Sequence, residues 1–116
     1  MTKKLKLEEL GRIDVETFKK TPKISLVVIL DNVRSMHNVG AIFRTADAFL
    51  VEKIVLCGIT PQPPHREIHK AALGATESVT WNYYESVKEA ILDLKTQKYE
   101  VLGIEQTNDS ILIGDF

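Results

Sequence analysis

Two short runs of apolar residues predict strands that are buried on both faces. The first run is ISLVVIL (24–30) and the second is KIVLC (53–57). Continuous runs of this length, rich in β-branched residues, are typical of parallel strands with helices packed on both sides. Two more segments, SVTWNY (78–83) and YEVLGIEQ (99–106), predict a third and a fourth strand.

Helical segments alternate with these strands. The segments 39–50, 66–73 and 86–97 carry apolar residues at helical spacing, and in the first of them Ile42, Ala46 and Phe49 share one face. Strands that alternate with helices favour parallel pairing through right-handed crossovers. The pattern therefore predicts an α/β fold with an open, mainly parallel sheet and helices on both faces.

The first 23 residues differ from the rest of the chain in charge. Residues 1–23 hold seven lysines and arginines against four acidic residues, whereas the whole chain has a net charge of −1. Two short helical segments, 5–10 and 15–20, are separated by Gly11. We predict a basic helical arm over residues 1–23 and a folded domain over residues 24–116. Such an arm either meets phosphates or is a solvated amphipathic helix, and the charge leaves both interpretations open.

The composition narrows the class of protein. A chain of 116 residues with 44% hydrophobic and 27% charged residues is typical of one globular domain. The single cysteine excludes an internal disulfide, and no apolar run approaches the length of a membrane span. The N-terminal lysines are not followed by the apolar segment of a secretory signal. We therefore expect a cytoplasmic protein without a membrane partner.

The stretch DNVRSMHNVGAIFRTADAF (31–49) carries the clearest candidate chemistry. It begins where a parallel strand ends, which is where open α/β sheets bind ligands. We predict that Asn38 caps the following helix and bonds a ligand, and that Gly40 permits close approach of a ligand backbone. The forked, permanently charged Arg44 suits a phosphate, and Arg34 lies in the same loop as a candidate RNA contact. The alternative is structural, with an N-cap, a packing glycine and two surface cations.

Extended by one residue, LDNVRSMHNVGAIFRTADAF resembles the first signature motif of the SpoU branch of the SPOUT RNA methyltransferases. The segment VEKIVLCGITPQPPHREIHKAALGATESVTW (51–81) resembles the second strand, proline loop and Gly-Ala turn of the same family. The resemblance implies transfer of a methyl group from S-adenosylmethionine to a ribose 2′-hydroxyl of transfer or ribosomal RNA. It also implies a homodimer.

The resemblance further implies roles for individual residues. Asn38 and Arg44 match the family's catalytic asparagine and arginine, and Gly40 matches its invariant glycine. Ile104 and the neighbouring Glu105 match the strand end that lines the cofactor pocket. Because a guanidinium stays protonated at neutral pH, we expect Arg44 to clamp the phosphate of the target nucleotide rather than to act as the base.

Two departures from the family pattern affect this expectation. Many members have a glycine where this chain has Leu50. Relatives also continue through a Gly-Asn-Glu segment and a Ser/Asn-rich segment that form the trefoil knot, whereas this chain ends at Phe116. We therefore expect a SPOUT-type α/β fold without that knot and an incomplete cofactor pocket. Two hypotheses stay open: a methyltransferase or part of one, and a non-catalytic RNA-binding module that retains the phosphate-clamping helix.

His65 and Arg66 follow the second strand and a proline-rich loop. This position makes both residues candidate RNA contacts, and the alternative is the solvated start of a helix. His65 and His69 lie one helical turn apart, but the glutamate of the zinc-binding patterns HExxH and HxxEH is missing. We therefore predict no metal site. Trp81 and Tyr83 share one strand face, which favours packing over base stacking.

Overall fold

A computed structural model describes residues 15–104 of the chain. Within them, three strands form one parallel sheet in the order β1-β2-β3, with β1 Ile24–Asp31, β2 Val51–Cys57 and β3 Thr80–Tyr84. The predicted open parallel sheet is thereby confirmed. The last residues of the three strands, Asp31, Cys57 and Tyr84, are partners in register. The loops that follow the strands therefore leave the sheet at one common edge.

Helices cover both faces of the sheet, as predicted. Within the described range they are α1 Val15–Lys20, α2 Met36–Ala48, α3 Arg66–Ala72, α4 Ala75–Ser78 and α5 Val87–Thr96. Successive residues of a strand point to opposite faces. The larger core cluster lies between one face of the sheet and helices α1 to α4, and it includes Ile54 and Leu56. Val55 and Cys57 point to the opposite face and pack against α5.

Helix α1 joins the end of the basic arm to the domain. Phe18 is only 1% exposed and belongs to the larger core cluster. The Lys23 Nζ atom lies 4.4 Å from the centre of the Phe18 ring and donates to the backbone carbonyls of Phe18 and Thr21. Lys19 and Lys20 stay exposed. The more N-terminal helix predicted over residues 5–10 lies outside the described residues.

The side of α2 that faces the core differs from the predicted side. Val39, Phe43 and Ala46 are at most 2% exposed, whereas Phe49 follows the helix and is 67% exposed. At 100° per residue, the observed apolar face is rotated by roughly 60° from the face that contains Ile42 and Phe49. The reason is that α2 packs against α3 as well as against the sheet.

The fourth strand predicted over residues 99–106 is wrong for residues 99–104, where the structure has no strand. Residues 105 and 106 lie outside the described part. After α5 the chain turns at Lys98, and the Tyr99 hydroxyl donates to a carboxylate oxygen of Glu52. This hydrogen bond raises the pKa of Tyr99. A side chain therefore ties this segment to β2, in place of the backbone ladder of an added strand.

Two leucines adopt the left-handed backbone geometry that favours glycine. Leu50, which replaces the glycine of the family pattern, has a φ of 56° and packs against the larger core cluster. Contacts of its side chain therefore offset the backbone strain. Leu73 ends α3 with a φ of 51° and is 47% exposed, so little burial offsets the strain there.

We expect Leu73→Gly to raise the free energy of unfolding by about 0.5–1 kcal/mol, because glycine adopts the left-handed C-cap conformation without a steric penalty. Urea unfolding followed by circular dichroism measures the change. Leu92→Gly is the matched control, since Leu92 is 56% exposed inside α5. Glycine there is expected to lower the free energy of unfolding by about 1 kcal/mol. A loss of stability in both variants would contradict the prediction.

Candidate nucleic-acid interface

The carboxyl edge of the sheet brings two loops together. Loop 32–35 connects β1 to α2, and loop 58–65 connects β2 to α3. The side-chain oxygen of Asn32 accepts a hydrogen bond from the backbone N–H of Ile59 at 2.9 Å. The Thr60 hydroxyl accepts one from the N–H of Val33 at 3.0 Å. Sequence reasoning missed Asn32 and Thr60, because each has its partner 27 residues away along the chain.

Helix α2 begins three residues before its predicted start. Ser35 is the N-cap residue, and its hydroxyl accepts from the backbone N–H of Asn38 at 3.1 Å. The predicted N-cap role of Asn38 is therefore wrong. Asn38 lies instead in the first turn of α2 and is exposed. Its side-chain amide is thereby placed on the surface near the positive end of the helix dipole.

Arg44 lies two turns into α2 and is exposed. Asn38 and Arg44 are about 9 Å apart along the helix axis and about 120° apart around it. Ala41 lies midway between them, and its small side chain leaves the surface there open. None of the hydrogen bonds or ion pairs found within residues 15–104 involves the Arg44 guanidinium. This side of α2 therefore suits an extended ligand with two or more polar groups.

Gly40 has a packing role. It is buried, and a Cβ atom added to it would lie 2.4 Å from the carbonyl oxygen of Ile68 and 2.7 Å from the Cβ of Ala71. Helices α2 and α3 thus approach each other closely at Gly40. From the sequence we expected Gly40 to allow the close approach of RNA. The structure has α3 at this position, and Gly40 packs against that helix instead.

The remaining candidate RNA contacts flank the same two loops. Arg34 is exposed immediately before the N-cap residue of α2. His65 is the N-cap residue of α3, and its Nδ1 accepts from the backbone N–H of Glu67 at 3.1 Å. Arg66 is the first residue of α3 and is exposed.

The candidate cofactor residues lie elsewhere or outside the described part. Ile104 is 88% exposed, and Glu105 is not among the described residues. Ile104 borders a groove of about 910 Å³ lined by residues 25–29 of β1 and by residues 97–102. This groove runs alongside β1, whereas Arg34 and Asn38 follow its carboxyl end. The described lining of this groove therefore includes none of the candidate RNA contacts.

Other chemistry is limited in the part of the chain that the structure describes. Cys57 is fully buried. Burial raises the pKa of its thiol, and the negative charge of the nearby Asp31 carboxylate raises it further. The thiol therefore stays protonated and is a poor nucleophile. No group of three or more His, Cys, Asp and Glu residues in this part is placed to hold a metal ion. No helix between residues 15 and 104 is long and apolar enough to cross a membrane.

Comparison with known proteins decides the family. The sequence profile described as the SpoU rRNA Methylase family matches residues 25–115. The chain belongs to the SpoU rRNA methylase family. The SpoU match includes β1 to β3 almost completely and the whole stretch 31–49, so it contains the candidate RNA contacts of both loops and of α2.

Individual relatives cover most of this chain. A protein of Staphylococcus haemolyticus named as a TrmH family tRNA/rRNA methyltransferase is 32% identical over 94 residues, which are 81% of this chain and 38% of the relative. The 23S rRNA (guanosine-2′-O-)-methyltransferase RlmB of Neisseria meningitidis is 29% identical over 87 residues, 75% of this chain and 35% of that protein. The chain thus spans little more than a third of the length of these two relatives.

Solved structures of two methyltransferases share the fold. The methyltransferase AviRb from Streptomyces viridochromogenes, in complex with AdoMet, matches 81% of this chain and 33% of its own with a TM-score of 0.60 at 20% identity. An AdoMet-bound rRNA methyltransferase from Sinorhizobium meliloti matches 68% of this chain and 30% of its own, with a TM-score of 0.55 at 27% identity. The α/β fold expected from the resemblance is thereby confirmed.

Proposed function

We propose that this chain carries the RNA-binding side of an enzyme that transfers a methyl group from S-adenosylmethionine to a ribose 2′-hydroxyl of transfer or ribosomal RNA. The observation that carries the proposal is the exposed side of α2, where Asn38 and Arg44 follow the carboxyl end of β1 in a SpoU family chain. The names of the relatives support the substrate class and the position of methylation. The AdoMet-bound rRNA methyltransferase supports the methyl donor.

In this proposal the described residues bind and orient the RNA. The Arg44 guanidinium clamps a phosphate of the target nucleotide, and the Asn38 amide donates to a neighbouring ribose or phosphate oxygen. Arg34, His65 and Arg66 extend the contact along the RNA backbone. A 2′-hydroxyl is a weak nucleophile, so holding it at a fixed position toward the methyl donor supplies much of the rate enhancement.

The other expectations from the sequence also belong to this proposal. Ile104 and Glu105 border the pocket for S-adenosylmethionine. The basic arm of residues 1–23 adds contacts to RNA phosphates, and the exposure of Lys19 and Lys20 supports this role. Residues 24–116 form the methyltransferase part. The enzyme acts as a homodimer in the cytoplasm, as the family resemblance and the composition suggest.

A second candidate is an RNA-binding module without methyl transfer. It is favoured by the exposure of Ile104 and by the absence of the candidate RNA contacts from the described lining of its groove. Calorimetry with S-adenosylmethionine separates the two candidates. Saturable heat supports the methyltransferase, whereas RNA binding without any heat from S-adenosylmethionine supports the module.

We expect Arg44→Ala to weaken the binding of a fluorescently labelled RNA hairpin by about tenfold, because a charge-assisted phosphate contact is lost. The slope of log affinity against log salt concentration should fall by roughly 0.7–0.9, the value for one phosphate contact. Fluorescence anisotropy across a salt series measures both quantities.

Lys95→Ala is the control for this experiment. Lys95 is an exposed cation on α5, which covers the opposite face of the sheet from α2. The variant removes the same charge, and we expect less than about a twofold change in RNA affinity. Equal losses of RNA affinity in the two variants, or an unchanged salt slope for Arg44→Ala, would show that Arg44 does not contact an RNA phosphate.

A further inference from the structure

Asn32 links the two loops at the carboxyl edge of the sheet. Its φ is 55°, its Oδ1 accepts from the N–H of Ile59 at 2.9 Å, and its own N–H donates to the carbonyl of Cys57 at 3.2 Å. Gly58 has a φ of 66°, and a Cβ atom added there would lie 2.0 Å from the Asn32 Oδ1. The Asn32 side chain thus occupies space that a glycine at position 58 leaves open.

Thr60 makes a second link between the same loops. It is 3% exposed, and its hydroxyl oxygen accepts from the N–H of Val33 at 3.0 Å. The hydroxyl proton has two carbonyl acceptors within hydrogen-bond distance, that of Cys57 at 2.7 Å and that of Leu30 at 3.0 Å. A single buried hydroxyl therefore joins the ends of β1 and β2 to the beginning of loop 32–35.

The third strand holds loop 58–65 from the other side. The Tyr83 hydroxyl donates to the carbonyl oxygen of Gly58 at 2.6 Å, and the Gly58 N–H donates to the carbonyl oxygen of Tyr84 at 3.1 Å. The loop to which Asn32 binds is therefore itself fixed to the sheet. A displacement of loop 32–35 has to break bonds to this fixed part.

Arg34 lies between two fixed points of this network. On one side Thr60 holds the N–H of Val33, and on the other side Ser35 caps α2. The Arg34 side chain is exposed, and no hydrogen bond or ion pair within residues 15–104 engages its guanidinium. A cation on a backbone fixed at both sides loses less freedom when it binds a ligand than one on a mobile loop.

We propose that Asn32 and Thr60 are positioning residues that hold Arg34 in place for contact with an RNA phosphate. The inference rests on the proposed RNA-binding function and deepens it, because it assigns the placement of one phosphate contact to two residues that act through Arg34. A network that served stability alone would leave the RNA affinity of the folded protein unchanged. RNA binding at a temperature where every variant is folded therefore separates the two roles.

The test is a double-mutant cycle on the full chain with a labelled RNA hairpin that has a single-stranded loop. The proteins are the wild type, Asn32→Gly, Arg34→Ala and the double variant. Glycine keeps the left-handed backbone accessible and removes only the side-chain acceptor. We expect Asn32→Gly to weaken binding by about threefold to tenfold and to lower the salt slope by roughly 0.7–0.9, as Arg34→Ala does. The double variant should bind no more weakly than Arg34→Ala.

Substitutions of Thr60 give an independent comparison. Thr60→Val keeps the shape of the side chain and removes the hydroxyl, whereas Thr60→Ser keeps the hydroxyl. We expect Thr60→Val to reproduce the affinity and the salt slope of Asn32→Gly, and Thr60→Ser to retain those of the wild type. If Thr60→Val does not fold, the Asn32 cycle decides the question.

The outcomes distinguish this inference from the proposed function. Additive losses in the double variant, or a wild-type salt slope in Asn32→Gly, overturn the positioning role and leave RNA binding intact. Unchanged binding by Arg34→Ala also overturns it. A wild-type chain that does not bind RNA in a salt-dependent manner refutes the proposed function and this inference together.

Discussion

Phe43→Ala is expected to lower the free energy of unfolding by about 3–5 kcal/mol, the usual range when a buried phenylalanine leaves a cavity. Phe43 is fully buried in the larger core cluster, where α2 meets the sheet. Phe49→Ala is the matched control, since Phe49 is 67% exposed at the end of the same helix. We expect it to change the free energy of unfolding by less than about 0.5 kcal/mol. Urea unfolding followed by circular dichroism measures both variants.

This pair of variants decides which side of α2 faces the core. The apolar spacing in the sequence favours the side with Ile42 and Phe49, and the structure places Phe43 inside instead. A larger loss for Phe49→Ala than for Phe43→Ala would therefore refute the observed rotation of α2. The same rotation leaves Asn38 and Arg44 exposed, so the stability experiment also bears on the RNA-binding side of the helix.

Gly40→Ala is expected to lower the free energy of unfolding by about 2 kcal/mol, although alanine favours a helix more than glycine does. The added Cβ would lie 2.4 Å from the backbone oxygen of Ile68, which moves only if α2 and α3 separate. Thermal and urea unfolding measure the loss. Gly103→Ala is the matched control, because a Cβ there meets no atom within 4 Å, and we expect almost no change.

A stabilised Gly40→Ala variant would contradict the close contact of the two helices. The contact also bears on function, because α2 carries Asn38 and Arg44 on its exposed side and Gly40 on the side toward α3. A separation of the helices would shift both candidate RNA contacts relative to loop 32–35. We therefore expect Gly40→Ala to weaken RNA binding in proportion to the shift of α2.

The parallel sheet could be predicted because its signal is local. The apolar runs at 24–30 and 53–57 are too short for buried helices and too apolar for surface strands, which leaves strands covered on both faces. The helix segments between them then require parallel pairing. Placing Asn38 and Arg44 on the helix that follows the first strand came from the same local pattern, and the structure has both exposed on that helix.

The fourth strand shows where a local pattern fails. The segment 99–104 has the composition of a strand, but a strand also needs a partner that pairs with its backbone. In the structure Tyr99 binds Glu52 through its side chain, and the residues up to Ile104 form no strand. Likewise, Ser35 and Asn38 are both good N-cap residues, and the geometry of the loop selects Ser35.

The sequence was therefore sufficient for the class of fold, the order of the three strands and the surface residues that suit a phosphate, because short stretches of chain determine these. The rotation of α2, the packing role of Gly40 and the links through Asn32 and Thr60 emerged only in the tertiary structure. Each depends on atoms that are distant in sequence, such as the 27 residues between Asn32 and Ile59. Such contacts form only when the sheet assembles, and no periodicity along the chain reports them.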